Sequence, residues 1–320
     1  MDWRHWRWRY NCQLHDAMRK IFVAALATFL IGFTLQAPPA EAWLAQSVAS
    51  APGYTGPGDV FSSAYWWGGF RAYSAAKRGT KAANICNVAD VACADVSSDA
   101  TTGQIPADPV IGGVTCGTTA GVNLCTVKTL YDQSGNGQDI TQATIVNRPT
   151  FLPNCIGSLP CMKFVAANSQ CLGTSSFSGQ SASLQDVISV GKINGTASNA
   201  TYIDINTHNP QIMFLGGGTT FRLFGSGAGF TASYTPTNWN SLIGDDIGTG
   251  STIYVNGSAT SGNVGGFTSS ANGLGVGGQD NCSTNYFDGW MTEAGEWVTT
   301  SITSGQASTM SSNQQTFWGY

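Results

Sequence analysis

Few residues in this chain have the chemistry to do more than pack. Beyond residue 42 there are two glutamates, Glu293 and Glu296, one histidine, His208, and eight cysteines. The cysteines are Cys86, Cys93, Cys116, Cys125, Cys155, Cys161, Cys171 and Cys282. A structural zinc site would draw on closely spaced thiolates and imidazoles, but no C-x-x-C occurs. An even number of cysteines in an exported chain points instead to disulfides. Cys86/Cys93, Cys116/Cys125 and Cys155/Cys161 would close short loops, which leaves Cys171/Cys282 as a long-range bridge. No cofactor is expected. The aspartates fall into contrasting settings. Asp132 and Asp139 flank Ser134-Gly135-Asn136-Gly137, where Gly and Asn tolerate positive φ and an Asp caps a turn through backbone amides. Asp245-Asp246 reads as a solvated turn, because adjacent strand residues face opposite ways. Trp66, Trp67, Trp239 and Tyr234 could each stack on the C–H face of a sugar, although core packing explains a tryptophan equally well.

Elements must position these groups, and composition limits which ones. Met18-Arg19-Lys20 precedes an apolar run from Ile21 to about Leu35 and then Pro38-Pro39-Ala40-Glu41-Ala42. That is the pattern of a secretory signal peptide, and the run is short for a membrane span. We therefore expect a leader over 1–42 (with Met18 a candidate true start), a flexible arm over 43–59 rich in Gly, Pro and small residues, and one domain over 60–320. Secreted means extracellular or periplasmic here. The formal net charge is −4 and there is no basic cluster, which argues against nucleic acid as a partner. Abundant Gly, Ser, Thr, Asn and aromatic residues suit a secreted β protein that handles neutral sugars.

Strand signals dominate. β-branched and apolar runs occur at Cys125–Tyr131, Cys161–Ala166, Asp186–Ile193, Thr201–Ile205, Gln211–Leu215, Thr220–Phe224, Ser251–Val255, Leu274–Val276 and Trp290–Val298, separated by Gly, Asn and Ser. Asn256-Gly257 is a strong hairpin signal. Helical turns are expected only at Phe70–Lys81 and Ser304–Phe317. The pattern predicts an all-β antiparallel sandwich.

Two sets of motifs carry a resemblance. Ile253-Tyr254-Val255-Asn256-Gly257, Gly273 to Gly278, and Tyr286-Phe287-Asp288-Gly289-Trp290-Met291-Thr292-Glu293 resemble the concanavalin A-like jelly-roll sandwich. Gly68-Gly69-Phe70-Arg71-Ala72-Tyr73, the Cys116…Cys125 loop and Tyr131-Asp132-Gln133-Ser134-Gly135-Asn136-Gly137…Thr141-Gln142-Ala143 resemble the catalytic domain of the α-L-arabinofuranosidase B family. The resemblance implies a β-sandwich retaining glycosidase that acts on arabinose-containing plant polysaccharides. Such chemistry uses two carboxyl groups, a nucleophile and an acid/base, about 5–5.5 Å apart.

The family places its nucleophilic glutamate in a D-x-E-N motif on a strand and its acid/base aspartate just after a Gly-rich strand. Asp280, after Gly275-Val276-Gly277-Gly278-Gln279, stands at the acid/base position, with Gly278 in the substrate-contacting turn. Tyr202-Ile203-Asp204-Ile205-Asn206 stands at the nucleophile motif. Asp204 matches its aspartate, but Asn206 occupies the place of the glutamate, and an amide cannot form a glycosyl ester. The family's adjacent Cys-Cys pair is also missing. Three outcomes stay open: Asp204 as nucleophile with Asp280, another pair involving Asp245 or Asp246, or a non-catalytic glycan-binding or adhesion module that contacts sugar through residues such as Asn206 and Trp239. Glu293 belongs to the closing-strand pattern and reads as structural.

Overall fold

The computed structural model describes residues 53–117, 125–175, 177, 184–194, 200–205, 211–214, 219–225, 228–235, 237–265, 273–279, 281–298 and 301–320. Ser50–Tyr320 forms one compact unit. The strands, in chain order, are β1 (Trp66–Gly69), β2 (Lys81–Asn87), β3 (Cys93–Ser97), β4 (Val110–Ile111), β5 (Val114–Thr115), β6 (Cys125–Leu130), β7 (Ile140–Thr141), β8 (Thr150–Ile156), β9 (Leu159–Phe164) and β10 (Leu172–Thr174). They continue as β11 (Gln185–Ile193), β12 (Ala200–Ile205), β13 (Gln211–Phe214), β14 (Thr220–Phe224), β15 (Gly229–Ser233), β16 (Asn240–Asp246), β17 (Ser251–Val255), β18 (Ser258–Gly262), β19 (Leu274–Val276) and β20 (Gly289–Trp297). The helices are a short α1 (Pro57–Val60) and the C-terminal α2 (Ser304–Trp318).

The pairing is antiparallel throughout and resolves into two layers. One runs β18-β17-β16-β11-β20-β1. The other runs β15-β14-β13-β12-β19-β10 and continues through β7 to β6, β2 and β3. β8 and β9 link them, pairing with β6 and β20. This is the all-β sandwich that the strand pattern predicts.

Strand alternation explains why the first layer is buried on both sides. Val187, Leu242, Ile253 and Val255 point into the core between the layers. Their neighbours Ile188, Ile243 and Tyr254 point to the opposite face, where Trp297, Ala307 and Met310 cover them beneath α2. A period of two sends successive side chains to opposite faces, and here both faces are dry. The helix keeps its place through a full capping box, with Thr303 accepting from Gln306 N and Gln306 reaching back.

Several expectations need correction. Phe70–Lys81 is not helical; it holds one short 3₁₀ turn at Ala75–Lys77. Its backbone bonds run to distant partners, as with Phe70 N to Thr292 O (3.0 Å) and Ala72 N to Gly103 O (2.6 Å). The described end of the expected flexible arm is packed. Tyr54 donates its hydroxyl to Ala72 O, Gly58 N donates to Tyr73 O (2.6 Å), and a Cβ at Gly56 or Gly58 would collide with Tyr73. Trp66 and Trp67 are fully buried, so they are core residues and offer no surface to a sugar.

Candidate functional site

The motif around Asp132 is a clamp. The Asp132 carboxylate accepts from the amides of Trp67 (3.3 Å), Ser134 (2.9 Å) and Gln138 (3.2 Å). Gln133 donates to Gly69 O and Arg71 O and accepts from Tyr73 N. Asn136 donates to Tyr65 O (2.8 Å). One turn therefore fastens the stretch around β1. Arg71 in turn forms a bidentate, fully buried pair with Glu293 (2.5 and 2.8 Å), which Gln314 and Asn313 of α2 complete. Glu293 is thus structural, as its strand position implies.

The four disulfides are Cys86–Cys93, Cys116–Cys125, Cys155–Cys161 and Cys171–Cys282, the pairing expected from loop spacing. Among the described residues one group of metal-type donors stands close, Cys86, Asp90 and Cys93. Its sulfurs are bonded to each other and Asp90 pairs with Arg148 at 2.6 Å, so these residues do not fit a metal.

The two halves of the expected sugar site are neighbours. β12 lies beside β19, with Asp204 opposite Gly275 and Ile205 opposite Leu274. After β19 the chain doubles back. Gly277 takes φ +84°, and a Cβ there would strike the Phe164 ring, so the reversal depends on glycine. Gln279 then bridges to Thr284. Cys282 is tied to Cys171, and a Cβ on Gly173 would meet both the Asn281 side chain and the Cys282 sulfur. The loop on either side of residue 280 thus returns to the strand end that carries Asp204. Gly278 is buried against Cys171 and Tyr286. Asp204 is completely buried, and in this arrangement its carboxyl is closed to a substrate. Asp280 and Asn206 lie outside the described residues.

Trp239 is not part of that assembly. It lines a cleft of about 640 Å³ with Tyr234, Asn238, Asn240, Asn256 and Tyr320 among others. Registers place this cleft at the Ala200 end of β12: Ala200 faces Phe214, Phe214 faces Phe221, and Phe221 faces Ala232. Asp204 is four residues along the same strand, roughly 13 Å away at strand rise. Among the described residues no charged side chain lines the cleft. Its floor is fixed by Asn240, which donates to Thr235 O and Asn238 O (3.3 and 2.7 Å) and accepts from Asn256 (3.0 Å).

Asp245 and Asp246 are not a solvated turn. They end β16 and are buried, at 5% and 1% exposure. Asp245 faces Asp186 across the β11–β16 ladder. On the α2 side, Asp186 accepts from Ile302 N and Asp245 from Ser301 Oγ, both at 2.9 Å, so the two acids hold the lead-in to the helix. Burial, then the facing Asp245 charge, pushes the Asp186 carboxyl well above its ordinary range. Burial raises Asp245 too. Asp246 points the other way, accepts weakly from Gly248 N and Ser251 Oγ (both 3.4 Å), and burial pushes it up to about 7. Sequence reading singled out Asp245 and Asp246 but missed Asp186. The signal was an acid heading an otherwise apolar strand. All three are buried, and none lines the Trp239 cleft.

No protein-family model and no curated protein matches the sequence. Solved structures do match the fold. A glycoside hydrolase family 54 α-L-arabinofuranosidase soaked with a cyclic sulfate inhibitor superposes with TM-score 0.61 at 11% identity, over 81% of this chain. The likeness is one of fold, a β-sandwich. A Glu-to-Gln mutant of a family 54 enzyme soaked with 4-nitrophenyl α-L-arabinofuranoside gives 0.58 at 12% identity. An arabinofuranosidase complexed with arabinofuranosyl-α-1,2-xylobiose gives 0.54 at 12% identity. The chain spans 64% of the length of each of these proteins. Among the described residues no helix is long and apolar enough to cross a membrane.

Proposed function

We propose that this is an exported glycan-binding domain built on the arabinofuranosidase sandwich, engaging an arabinose-containing plant polysaccharide at the β12/β19 end without retaining hydrolysis. The observation that carries the reading is the state of the nucleophile strand. The frame is kept, with β12 beside the loop that follows β19, but its one described carboxyl, Asp204, is sealed from solvent, and the sequence offers Asn206 where a glutamate must attack. An amide still bonds sugar hydroxyls, so Asn206 suits recognition. The four disulfides fit an oxidising, exported setting.

The adjacency of β12 and the 277–282 loop also supports a second reading, hydrolysis with Asp280 as acid/base and Asp204 as nucleophile. The two are separated by incubating the protein with 4-nitrophenyl α-L-arabinofuranoside and with arabinan, alongside Asp280→Asn and Asp204→Asn. Retention on an arabinan column without nitrophenol release supports binding. Release that either substitution abolishes overturns it in favour of the enzyme. Neither retention nor release removes both.

A further inference from the structure

A row of alternating cations and indoles crosses the sheet at the end opposite Asp204. Lys163 of β9 faces Trp290 of β20, and Trp290 faces Lys192 of β11. Directly paired residues of antiparallel strands project to the same face, so the three side chains share one side. Gly191 faces Asn240, which places Trp239 opposite Lys192 as the fourth member. The contacts follow the register. Lys163 Nζ lies 5.9 Å from the Trp290 ring centre, and Lys192 Nζ lies 4.6 Å from Trp290 and 5.3 Å from Trp239. All four side chains are partly exposed. Three strand spacings make the row roughly 14 Å long, and its last member, Trp239, is a wall of the 640 Å³ cleft.

Among the described cations, the two lysines are set apart by their contact with indole rings. The protein is acidic overall, yet among the described residues neither ammonium has a carboxylate within salt-bridge distance; the ion pairs present are Arg71–Glu293, Lys81–Asp95 and Arg148–Asp90. The indoles hold both cations in place and neutralise neither. Beyond Trp239 the cleft offers hydroxyl and amide groups and no charged side chain. A ligand that fits all of this is a chain with spaced carboxylates along one stretch, hydroxyls along another, and apolar C–H faces for the rings.

We propose that the Lys163–Trp290–Lys192–Trp239 row and the adjoining cleft bind a carboxylate-bearing oligosaccharide, of the uronic-acid class. This site is independent of the β12/β19 end, so it stands or falls separately from the arabinan reading.

The test is titration of the whole protein with trigalacturonate, read by tryptophan fluorescence and calorimetry at 20 and 200 mM NaCl. Binding is expected, at least tenfold weaker at the higher salt because exposed charge pairs are screened. Lys163→Gln/Lys192→Gln should weaken it at least tenfold, Lys163→Arg/Lys192→Arg should keep it within about threefold, and Trp239→Ala should weaken it without changing the salt slope. Asn206→Ala should leave it unchanged. Absence of binding by folded wild-type protein overturns the proposal. So does equal binding by the glutamine pair; a fall in its melting temperature with binding intact would make the row a brace for the sheet and nothing more.

Discussion

Asp246→Asn should flip the sign of a stability difference between pH 5 and pH 8. The wild-type carboxyl sits near pKa 7 in the folded chain because burial disfavours its charge, against about 3.9 for an unperturbed aspartate. A folded-state pKa above the unfolded one means that the native state holds the extra proton. Its stabilising contribution is complete below pH 4 and is lost as pH rises through 7. Each pH unit in that window is worth about 1.4 kcal/mol for one proton. Between pH 5 and 7 the wild type should therefore lose about 2 kcal/mol on account of Asp246, or roughly 4–8 °C of melting temperature for a domain of this size. An asparagine keeps an acceptor for Gly248 N and Ser251 Oγ and carries no proton to lose. Asp186 and Asp245, also raised by burial, add a decline of the same sign to both proteins, so the quantity to read is the difference in slope. Calorimetric melting of both proteins at half-unit steps from pH 4.5 to 8, disulfides intact, gives it directly. The variant should match or trail the wild type at pH 5 and exceed it at pH 8. Parallel curves, or a wild type that gains on the variant as pH rises, would refute the argument that Asp246 is protonated in the folded core.

Three further outcomes follow from the same structure. Glu293→Gln leaves the Arg71 guanidinium buried with half its partner gone and should cost about 3–5 kcal/mol by chemical denaturation, whereas Arg71→Met/Glu293→Leu should cost less than the single change; a larger cost for the double would contradict the pair's being held by mutual compensation. Asp132→Ala removes the acceptor of three backbone amides and should cost about 3 kcal/mol, with protease cleavage appearing first near 131–139 and not elsewhere. Cys171→Ala/Cys282→Ala opens a loop of sequence separation 111 and should lower stability by about 4–5 kcal/mol, clearly more than opening Cys155–Cys161, whose separation is 6, because loop entropy grows with length; equal losses would remove the entropic account.

What was legible in the sequence was local. Thr220–Phe224, Ser251–Val255 and Leu274–Val276 have the bounds read from their alternation, because side-chain period and flanking turns are properties of neighbouring residues. Asn256 and Gly257 take positive φ and join β17 to β18, as their types dictate. The disulfides followed from spacing, since short loops pair their own ends. β1 to β5, β7, β8, β10, β15, β16 and β18 lie outside the runs read as strands. In β16, Asn240 to Asp246, polar ends frame a short apolar centre, and only the second core beneath α2 makes both faces dry. The same omission explains Asp245-Asp246. Adjacent acids look solvated unless the helix that buries one face, and the opposing layer that buries the other, are known in advance.

The candidate sites divide along the same line. The Asp204 strand and the Gly-rich reversal were readable because a motif is a string, and pairing of β12 with β19 brings the two strands together. The Lys–Trp row was not readable, because its members lie at 163, 192, 239 and 290 and meet only through register across β9, β20 and β11. A frame can be inherited as a string while the groups that act within it change one residue at a time. At Asn206 the resemblance expects a glutamate, and an amide at that place cannot form a glycosyl ester. A surface row has the opposite logic, since any one strand can supply its lysine or tryptophan without disturbing the core beneath. In this chain the residues that secure the sandwich, Asp132, Arg71, Glu293 and the buried acids of β11 and β16, are separate from those proposed to contact a glycan, so substitutions at the proposed contacts leave the sandwich in place.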